Sequence, residues 1–239
     1  MAEDRRILDR AGAPGPESQR YGSHADQVAE RWPGTDRCVV LLHGGFWRQA
    51  YDRSHLRPLA WAVAESGAAV VLPEYRRVGG AGGWPATFDD VVAALAWVAD
   101  GWTGELVLAG HSAGGHLALW AAASAGPSLT RVVGMAPVAD LTAAHRLRLD
   151  DDAVGDLLGG RPEEAARRLA AADPALLRTP DCPVQLLHAR DDELVPFALS
   201  QGYQARHPAA RLEEVPGGHF GVIDPSSPAW PSVRGSLLG

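Results

Sequence analysis

A serine between glycines is the most informative chemical feature of the sequence. Gly110, Ser112 and Gly114 form the pattern G-x-S-x-G within "LVLAGHSAGGHLALW", between a predicted strand and a predicted helix. Side chains larger than hydrogen at the two glycine positions would clash in so sharp a turn. We expect the serine to be exposed at the tip of the turn. The helix that follows directs its N–H groups and its positive dipole end to the same place. A glycine-rich turn would share the pattern, but the strand and helix around it favour a nucleophile.

A serine hydroxyl needs a base to become nucleophilic, and the base needs an acid to orient it. In this strand-turn-helix context the acid should follow the serine in the chain and a histidine should follow the acid. Asp191, Asp192 and Glu193 come at the end of a predicted strand, so position alone leaves the choice of acid open. His207 precedes a proline at a helix end and is expected to be exposed. His219, between "GG" and Phe in a loop that can fold back over the sheet edge, is therefore the predicted base.

A second glycine-rich turn, in "LLHGGFW", follows an early predicted strand. It could simply close a turn, but attack on a carbonyl also builds negative charge that free backbone N–H groups must stabilise. The N–H groups of Gly45 and Phe46, with that of Ala113 after the nucleophile, are the predicted oxyanion hole. Phe46 and Trp47 are predicted to line the substrate pocket.

The other histidines and the cysteines favour structural roles. His111 and His116 flank the serine and are interpreted as structural, and His188 at a strand end as a packed, hydrogen-bonded residue. Cys38 and Cys182 each begin an apolar run and are predicted to be buried free thiols. The sequence has no H-x-x-x-H pattern, Cys/His cluster or carboxylate ladder, so we expect neither a metal nor another cofactor.

Short apolar runs alternate with helical patterns from Cys38 onward, which predicts an α/β fold. We expect a mainly parallel central sheet with helices on both faces, in a single domain over residues 21–239 after a flexible arm at residues 1–20. "TFDDVVAALAWVADG" is predicted to begin a helix with a capping box of Thr87 and Asp90. A helix-rich insertion near residues 139–180 either covers the carboxyl edge of the sheet and influences substrate choice, or is only a surface crossover.

Composition narrows the classes of partner. The 239 residues are 46% apolar and 21% charged, as in ordinary globular proteins. The net charge of −7 without a basic cluster argues against nucleic acid or an anionic membrane as partner. No apolar run reaches the roughly 18 residues of a membrane span, and the first ten residues do not resemble a secretory signal. We expect a cytoplasmic protein, and the sequence leaves a homodimer open.

Four segments together resemble the α/β-hydrolases: "HGGFW", "PEYRR", "GHSAGG" and "HARDDELVP". The resemblance covers about residues 21–235 and is nearest to hormone-sensitive-lipase-like esterases and kynurenine formamidases. It implies the α/β-hydrolase fold and aligns Asp192 with the family acid. "HGGFW" is more similar to the formamidases, because the lipase-like branch usually carries H-G-G-G. Glu74 and Ala189 stand where these families usually have aspartate and glycine.

The expected function is metal-independent serine hydrolysis of a small carboxylic ester or an aryl formamide of the N-formylkynurenine type. Ser112, Asp192 and His219 would form the catalytic triad, and the reaction would pass through an acyl-enzyme. Two alternatives stay open. One is an acyl transferase or cyclase of a biosynthetic pathway that uses the same triad. The other is a non-catalytic homologue that binds a small ligand or a partner.

Overall fold

The computed structural model describes residues 6–9, 17–124, 126–159 and 162–239. The strands are β1 (Glu17–Arg20), β2 (Val28–Trp32), β3 (Thr35–Leu42), β4 (Ala68–Pro73), β5 (Glu105–His111), β6 (Arg131–Met135), β7 (Val184–His188) and β8 (Arg211–Glu214). The α-helices are α1 (Arg57–Glu65), α2 (Ala86–Asp100), α3 (Ala113–Ala123), α4 (Leu141–Arg146), α5 (Leu149–Leu158), α6 (Pro162–Ala172), α7 (Ala198–Arg206), α8 (Gly218–Gly221) and α9 (Trp230–Leu238). Short 3₁₀ helices lie at Arg6–Asp9 and Arg53–Leu56. Within these ranges no helix combines the length and apolar character needed to cross a membrane.

The strands of the described residues form one sheet in the order β1-β2-β4-β3-β5-β6-β7-β8. From β3 to β8 every neighbouring pair is parallel, while β2 runs antiparallel to both β1 and β4. Parallel strands joined by helices point their carboxyl ends to the same edge. The turns after β3, β5, β7 and β8, which carry the predicted site residues, therefore meet at that edge.

Two apolar cores lie on opposite faces of the sheet. On β3, Cys38, Val40 and Leu42 face the core that includes α2 and α3, whereas Val39 and Leu41 face the one that includes α1 and α9. A strand buried on both faces needs apolar residues at every position, which explains the unbroken run "CVVLL". The predicted α/β fold, with a mainly parallel sheet and helices on both faces, is confirmed.

The beginning of the chain contributes to the sheet. Of the arm predicted for residues 1–20, Arg6–Asp9 form a 3₁₀ turn and Glu17–Arg20 form the edge strand β1. Ile7 is buried in the core on the α1 side. Residues 1–5 and 10–16 lie outside the described part of the chain. The polar sequence "ESQR" has no apolar alternation, which is why the pattern did not predict this strand.

The predicted capping box of Thr87 and Asp90 is wrong. Helix α2 follows Pro85 and begins without a side-chain cap. The Thr87 hydroxyl donates to the carbonyl oxygen of Arg76, and the Asp90 carboxylate accepts from the Arg76 guanidinium at 2.5 and 2.8 Å. Both side chains are buried. They join α2 to the segment after β4 and are not available to cap their own helix.

The insertion near residues 139–180 contains α4, α5 and α6 and is tied to α3. His116 Nε2 donates to the Ala172 carbonyl oxygen at 2.9 Å, and Trp120 Nε1 donates to that of Ala171 at 3.0 Å. The buried carboxylate of Asp173, just after α6, accepts from the backbone N–H groups at the start of α4. The insertion is therefore attached to the helix that follows Ser112.

Glycines at the start of α3 allow an unusually close approach to the central strands. A Cβ on Gly114 would collide with the backbone carbonyl groups of Leu42 and His43. A Cβ on Gly115 would press on Pro137. The absence of side chains here lets the amino end of α3 sit directly against the end of β3.

We expect Gly114→Ala to destabilise the protein by about 1–3 kcal/mol, because rigid backbone must move to admit the methyl group. For a chain of this size that corresponds to a Tm decrease of roughly 2–12 °C. The matched control is Gly235→Ala, since Gly235 lies within α9 and a Cβ there would meet nothing within 4 Å. That change should raise stability by up to about 1 kcal/mol. Thermal unfolding measures both variants, and equal melting temperatures would contradict the close approach.

Candidate active site

Ser112 occupies a strained turn between β5 and α3. Its φ of 54° and ψ of −117° lie in a region that residues with side chains rarely adopt. The backbone is held there by bonds from Ser112 N to the Met135 oxygen (2.9 Å) and from His116 N to the Ser112 oxygen (3.0 Å). The side chain is only 2% exposed, so the expectation of an exposed tip is wrong. A Cβ on Gly44 would lie 3.0 Å from that of Ser112, which shows that the "HGG" turn packs beside it.

Asp192 and His219 form a buried hydrogen-bonded pair at the same sheet edge. His219 Nδ1 donates to Asp192 Oδ2 at 2.7 Å. The other carboxylate oxygen, Oδ1, accepts from the backbone N–H groups of Leu194 (2.9 Å) and Val195 (2.7 Å). Because Nδ1 carries the donated proton, Nε2 is the nitrogen of neutral His219 that can accept another. Asp192 thus makes the contact expected of an orienting acid.

The adjacent acids differ sharply from Asp192. Asp191 and Glu193 are exposed, whereas Asp192 is buried between β7 and α7. Sequence position left the choice of acid open until the resemblance selected Asp192, and the structure places the same residue against His219.

The charge of Asp192 is stabilised by its donors. Burial raises the pKa of its carboxyl group, but hydrogen bonds from His188, His219 and Val195 outweigh burial and bring the pKa well below its ordinary value. The carboxylate is therefore charged throughout the neutral range. A depressed folded-state pKa adds stability that is present above the unfolded-state pKa and is lost as the pH falls through the folded one.

His188, at the end of β7, also binds this carboxylate. Its Nε2 lies 3.1 Å from Asp192 Oδ2 and 2.9 Å from the Val195 carbonyl oxygen, and its Nδ1 lies 2.7 Å from Ser200 Oγ. The prediction of a packed, hydrogen-bonded residue agrees with these contacts but did not identify the partner. The available signal was its position, four residues before Asp192 at the end of the same strand.

The turn after β3 presents unpaired backbone donors. Gly45, Phe46 and Trp47 have φ values of 104°, 47° and 57°, so three consecutive residues adopt left-handed conformations. Among the hydrogen bonds of the described residues, none uses the N–H of Gly45, Phe46 or Ala113 as its donor. These are the three groups predicted for the oxyanion hole, and they remain available to a ligand.

Buried polar residues at the end of β3 and just after β4 pack against this turn. His43 Nδ1 lies 2.8 Å from the Gly44 carbonyl oxygen and its Nε2 lies 2.7 Å from Glu74 Oε1, so both ring nitrogens are engaged. Tyr75 stacks on that ring at 4.2 Å and donates from its hydroxyl to the His43 oxygen. Burial raises the pKa of Glu74, but the nearby His43 and Arg77 bring it below its ordinary value. In the sequence, Glu74 is distinguished only by its departure from the family pattern.

The two aromatic residues of the turn have different environments. Phe46 is half-buried, which is compatible with the predicted pocket wall. Trp47 has no exposed surface and packs edge-to-face on His116 at 5.1 Å. The prediction that Trp47 lines the pocket is therefore wrong, because the left-handed backbone turns its side chain into the core.

His111 links the serine turn to the predicted base. Its Nε2 donates to the His219 carbonyl oxygen at 3.0 Å, and the two rings lie 4.6 Å apart. Burial, with the nearby His219 and His55, holds the pKa of His111 well below its ordinary value. His111 is thus a neutral residue that fixes the backbone of His219 to the end of β5, directly before Ser112, in line with a structural role.

His207 does not approach this site. It is 3% exposed, so the expectation of an exposed residue is wrong. Its Nδ1 bonds to Thr179 Oγ1 and its Nε2 to the Pro174 carbonyl oxygen. The ring therefore fixes the segment that leaves the insertion, after α6.

Both thiols are free, with Cys38 buried and Cys182 half-buried. Burial raises the pKa of Cys38 to about 12, which keeps it protonated at neutral pH. The part of the chain that the structure describes contains no group of three or more His, Cys, Asp or Glu side chains placed to hold a metal ion.

Solved structures of several esterases are similar to this one. Esterase B from Lactobacillus rhamnosis, in a C6-C4 SN3 inhibited form, has a TM-score of 0.78 at 22% identity, over 98% of this chain and 88% of that chain. A truncated carbohydrate esterase from gut microbiota has a TM-score of 0.78 at 18% identity, over 95% and 97%. Thermogutta terrifontis esterase 2, phosphoramylated by tabun, has a TM-score of 0.70 at 21% identity, over 94% and 91%. At such identities the likeness establishes the α/β-hydrolase fold.

The sequence itself matches a known family. No curated protein matches the chain significantly. The BD-FAE family model matches residues 30–206, a range that contains the "HGG" turn, Ser112 and Asp192 and ends before His219. Since this range is more than half of the sequence, the chain belongs to the BD-FAE family.

Proposed function

We propose that this protein is a metal-independent serine hydrolase that cleaves small carboxylic esters or aryl formamides through an acyl-enzyme. One observation carries the proposal. At one sheet edge, a strained strand-to-helix turn carries Ser112, and the preceding residue, His111, bonds to the backbone of His219. His219 Nδ1 is in turn bonded to a buried carboxylate, and the neighbouring turn after β3 has free backbone N–H groups. The similar solved structures, which are esterases, and the BD-FAE match support the same reaction class.

Acylation would begin when Ser112 Oγ attacks the substrate carbonyl carbon. His219 Nε2 takes the hydroxyl proton, and Asp192 holds the ring in the required tautomer and stabilises the imidazolium. The N–H groups of Gly45, Phe46 and Ala113 donate to the oxygen on which negative charge develops. When the tetrahedral intermediate collapses, His219 returns the proton to the leaving alcohol or amine.

Deacylation would repeat these steps with water. His219 removes a proton from the water that attacks the acyl carbon, and the same donors bind the oxyanion. Ser112 then leaves with the proton that His219 returns, which restores the free enzyme. Nucleophile, base, acid and oxyanion donors all come from protein groups, so this chemistry needs no metal ion.

Two substrate classes fit the site. An ester is supported by the family match and by the solved esterases, one of them inhibited by a tributyrin phosphonate. An aryl formamide, in which a formyl group leaves an aromatic amine, is supported only by the "HGGFW" resemblance to kynurenine formamidases. Phe46 is half-buried in the turn after β3, where it can contact an aromatic group in either substrate.

A panel of N-formylkynurenine beside aryl esters of rising acyl length would decide between the two classes through their kcat/KM values. A fluorophosphonate probe separates both from a non-catalytic homologue, since only an activated serine reacts. Product analysis with added alcohols and amines separates hydrolysis from acyl transfer, which differs only in the nucleophile that meets the acyl-enzyme. No probe labelling and no turnover on the whole panel would contradict the proposal.

Ser112→Ala should abolish both hydrolysis and probe labelling. The loss should be on the order of 10⁴-fold or more, as for other triad nucleophiles. Circular dichroism and a melting curve check that the variant is folded. Ser66→Ala, at the exposed end of α1, is the matched control and should keep wild-type activity. Activity at half the wild-type level in Ser112→Ala would disprove the mechanism.

Asp192→Asn should cost far more activity than Asp191→Asn. The first change removes the buried carboxylate on His219 Nδ1, which is worth up to about 10⁴-fold in rate in a serine triad. The second alters an exposed neighbour and should change kcat/KM by less than about twofold, as expected for a surface site. Comparable losses in the two variants would show that the acid has been misassigned.

Phe46→Gly tests the pocket wall and preserves the backbone N–H. Glycine tolerates the φ of 47° at this position, so the turn should persist. If Phe46 contacts an aryl group, kcat/KM for an aryl formamide should fall more than that for a short alkyl ester, by about 10- to 200-fold. The ratio of the two values in wild type and variant measures this effect, with a melting curve as control. An unchanged ratio would exclude the contact, and a shift towards bulkier acyl groups would place Phe46 on the acyl side.

A further inference from the structure

We propose that His188 is a positioning residue that controls the charge and orientation of Asp192, and through it the proton affinity of the catalytic base. This inference rests on the proposed function for its kinetic consequence. The hydrogen bonds that motivate it are properties of the fold alone. They form an unbroken chain from Ser200 through His188 and Asp192 to His219.

The hydrogen bonds fix the tautomer of His188. Its Nε2 faces two acceptors, the carboxylate of Asp192 and the carbonyl oxygen of Val195, so this nitrogen carries a proton. With Nε2 protonated in the neutral ring, Nδ1 accepts from the Ser200 hydroxyl at 2.7 Å. His188 and Ser200 have no exposed surface. Neither ring nitrogen has an alternative partner in water, and the donor remains directed at Asp192.

The two oxygens of Asp192 are satisfied in different ways. Oδ1 accepts from the backbone of Leu194 and Val195, whereas Oδ2 accepts from the imidazoles of His188 and His219. Two donors on each oxygen prevent the carboxylate from rotating. They also disperse its charge, so Oδ2 attracts the His219 proton less strongly than an oxygen bound to His219 alone.

Removing the His188 donor should therefore have two consequences. The carboxylate would gain rotational freedom, which lowers the fraction of His219 rings in the productive orientation and reduces kcat. Oδ2 would also hold the proton of the His219 imidazolium more tightly, so the ring would lose its charge only at higher pH. The acid limb of the kcat/KM profile should consequently move to higher pH.

Other titratable groups face this cluster but do not account for such a shift. Burial brings the pKa of His55 to about 4 and holds that of His111 well below its ordinary value, so both are neutral where the acid limb is measured. Arg190 lies over the Phe197 ring that packs on His188, and its charge is paired with Glu214. The loop after β7 also carries two titratable carboxylates, those of Asp191 and Glu193, and both are exposed.

His188→Leu and His188→Gln form the decisive comparison. Leucine removes the donor, whereas the terminal amide of glutamine retains one near the position of Nε2. We expect His188→Leu to lower kcat by about tenfold while KM changes little, as for a coupled hydrogen-bond network. The acid limb should rise by about one pH unit, the scale of a hydrogen bond to a charged group. Glutamine should restore most of kcat and return the limb towards its wild-type position.

His207→Gln is the matched control, because it alters another buried, hydrogen-bonded histidine that does not reach the site. It should leave the pH profile unchanged even where it lowers Tm. If His188→Leu does not fold, Ser200→Ala provides a milder test, since it frees Nδ1 and weakens the fixed tautomer. Its acid limb should move in the same direction by a smaller amount.

A readout independent of turnover separates this inference from the proposed function. The low-field proton resonance of His219 Nδ1–H, assigned by its loss in Asp192→Asn, should shift downfield in His188→Leu and recover in His188→Gln. An unchanged resonance and an unchanged acid limb in folded His188→Leu would overturn the role of His188. If the wild-type protein turns over no substrate but the His219 resonance still shifts in His188→Leu, only the proposed function is contradicted.

Discussion

The backbone of Ser112 is the constraint on which the rest of the site depends. A φ of 54° at a residue with a side chain costs on the order of 1–3 kcal/mol and persists only where its surroundings hold it. β5 supplies that support, because it lies between β3 and β6 near the middle of the sheet and its last residues are fixed on both sides. The same turn starts α3 at once, which leaves the N–H of Ala113 without an internal acceptor. One local strain therefore positions both Ser112 and one of the predicted oxyanion donors.

Electrostatics determine how the remaining groups reach this turn. Asp192 follows β7 and His219 follows β8, and the parallel arrangement brings both turns to the carboxyl edge where β5 ends. A buried carboxylate is unfavourable unless donors surround it, and Asp192 receives bonds from two backbone N–H groups and two imidazoles. Meeting this requirement orients His219, so one hydrogen bond both stabilises the Asp192 carboxylate and aligns the imidazole of the predicted base. His111 then fixes the His219 backbone to the end of β5.

Sequence patterns predicted the parts of this arrangement that depend on local chemistry. The apolar strands and the glycines around Ser112 follow from burial on both sheet faces and from close backbone contact. Trp47 was misassigned because an aromatic residue after a glycine-rich turn has the same pattern whether it faces a pocket or the core. The hydrogen bond from His188 to Asp192 depends on a contact between a strand end and a loop. A single histidine in an apolar run does not reveal its partner. The edge strand β1 has no periodic signal because all four of its residues are polar.

The turn after β3, which carries two of the predicted oxyanion donors, is held from two directions. Below it, His43 bonds to Glu74 and Tyr75. On its outer side, Arg48 binds Asp150 and, at 2.9 Å, Asp156, both in α5 of the insertion. Since α6 is also bonded to α3, the insertion contacts both segments that present the predicted oxyanion donors. The insertion is therefore attached to both of these segments, and a change in its sequence can reach the predicted oxyanion donors through Arg48 without touching the substrate.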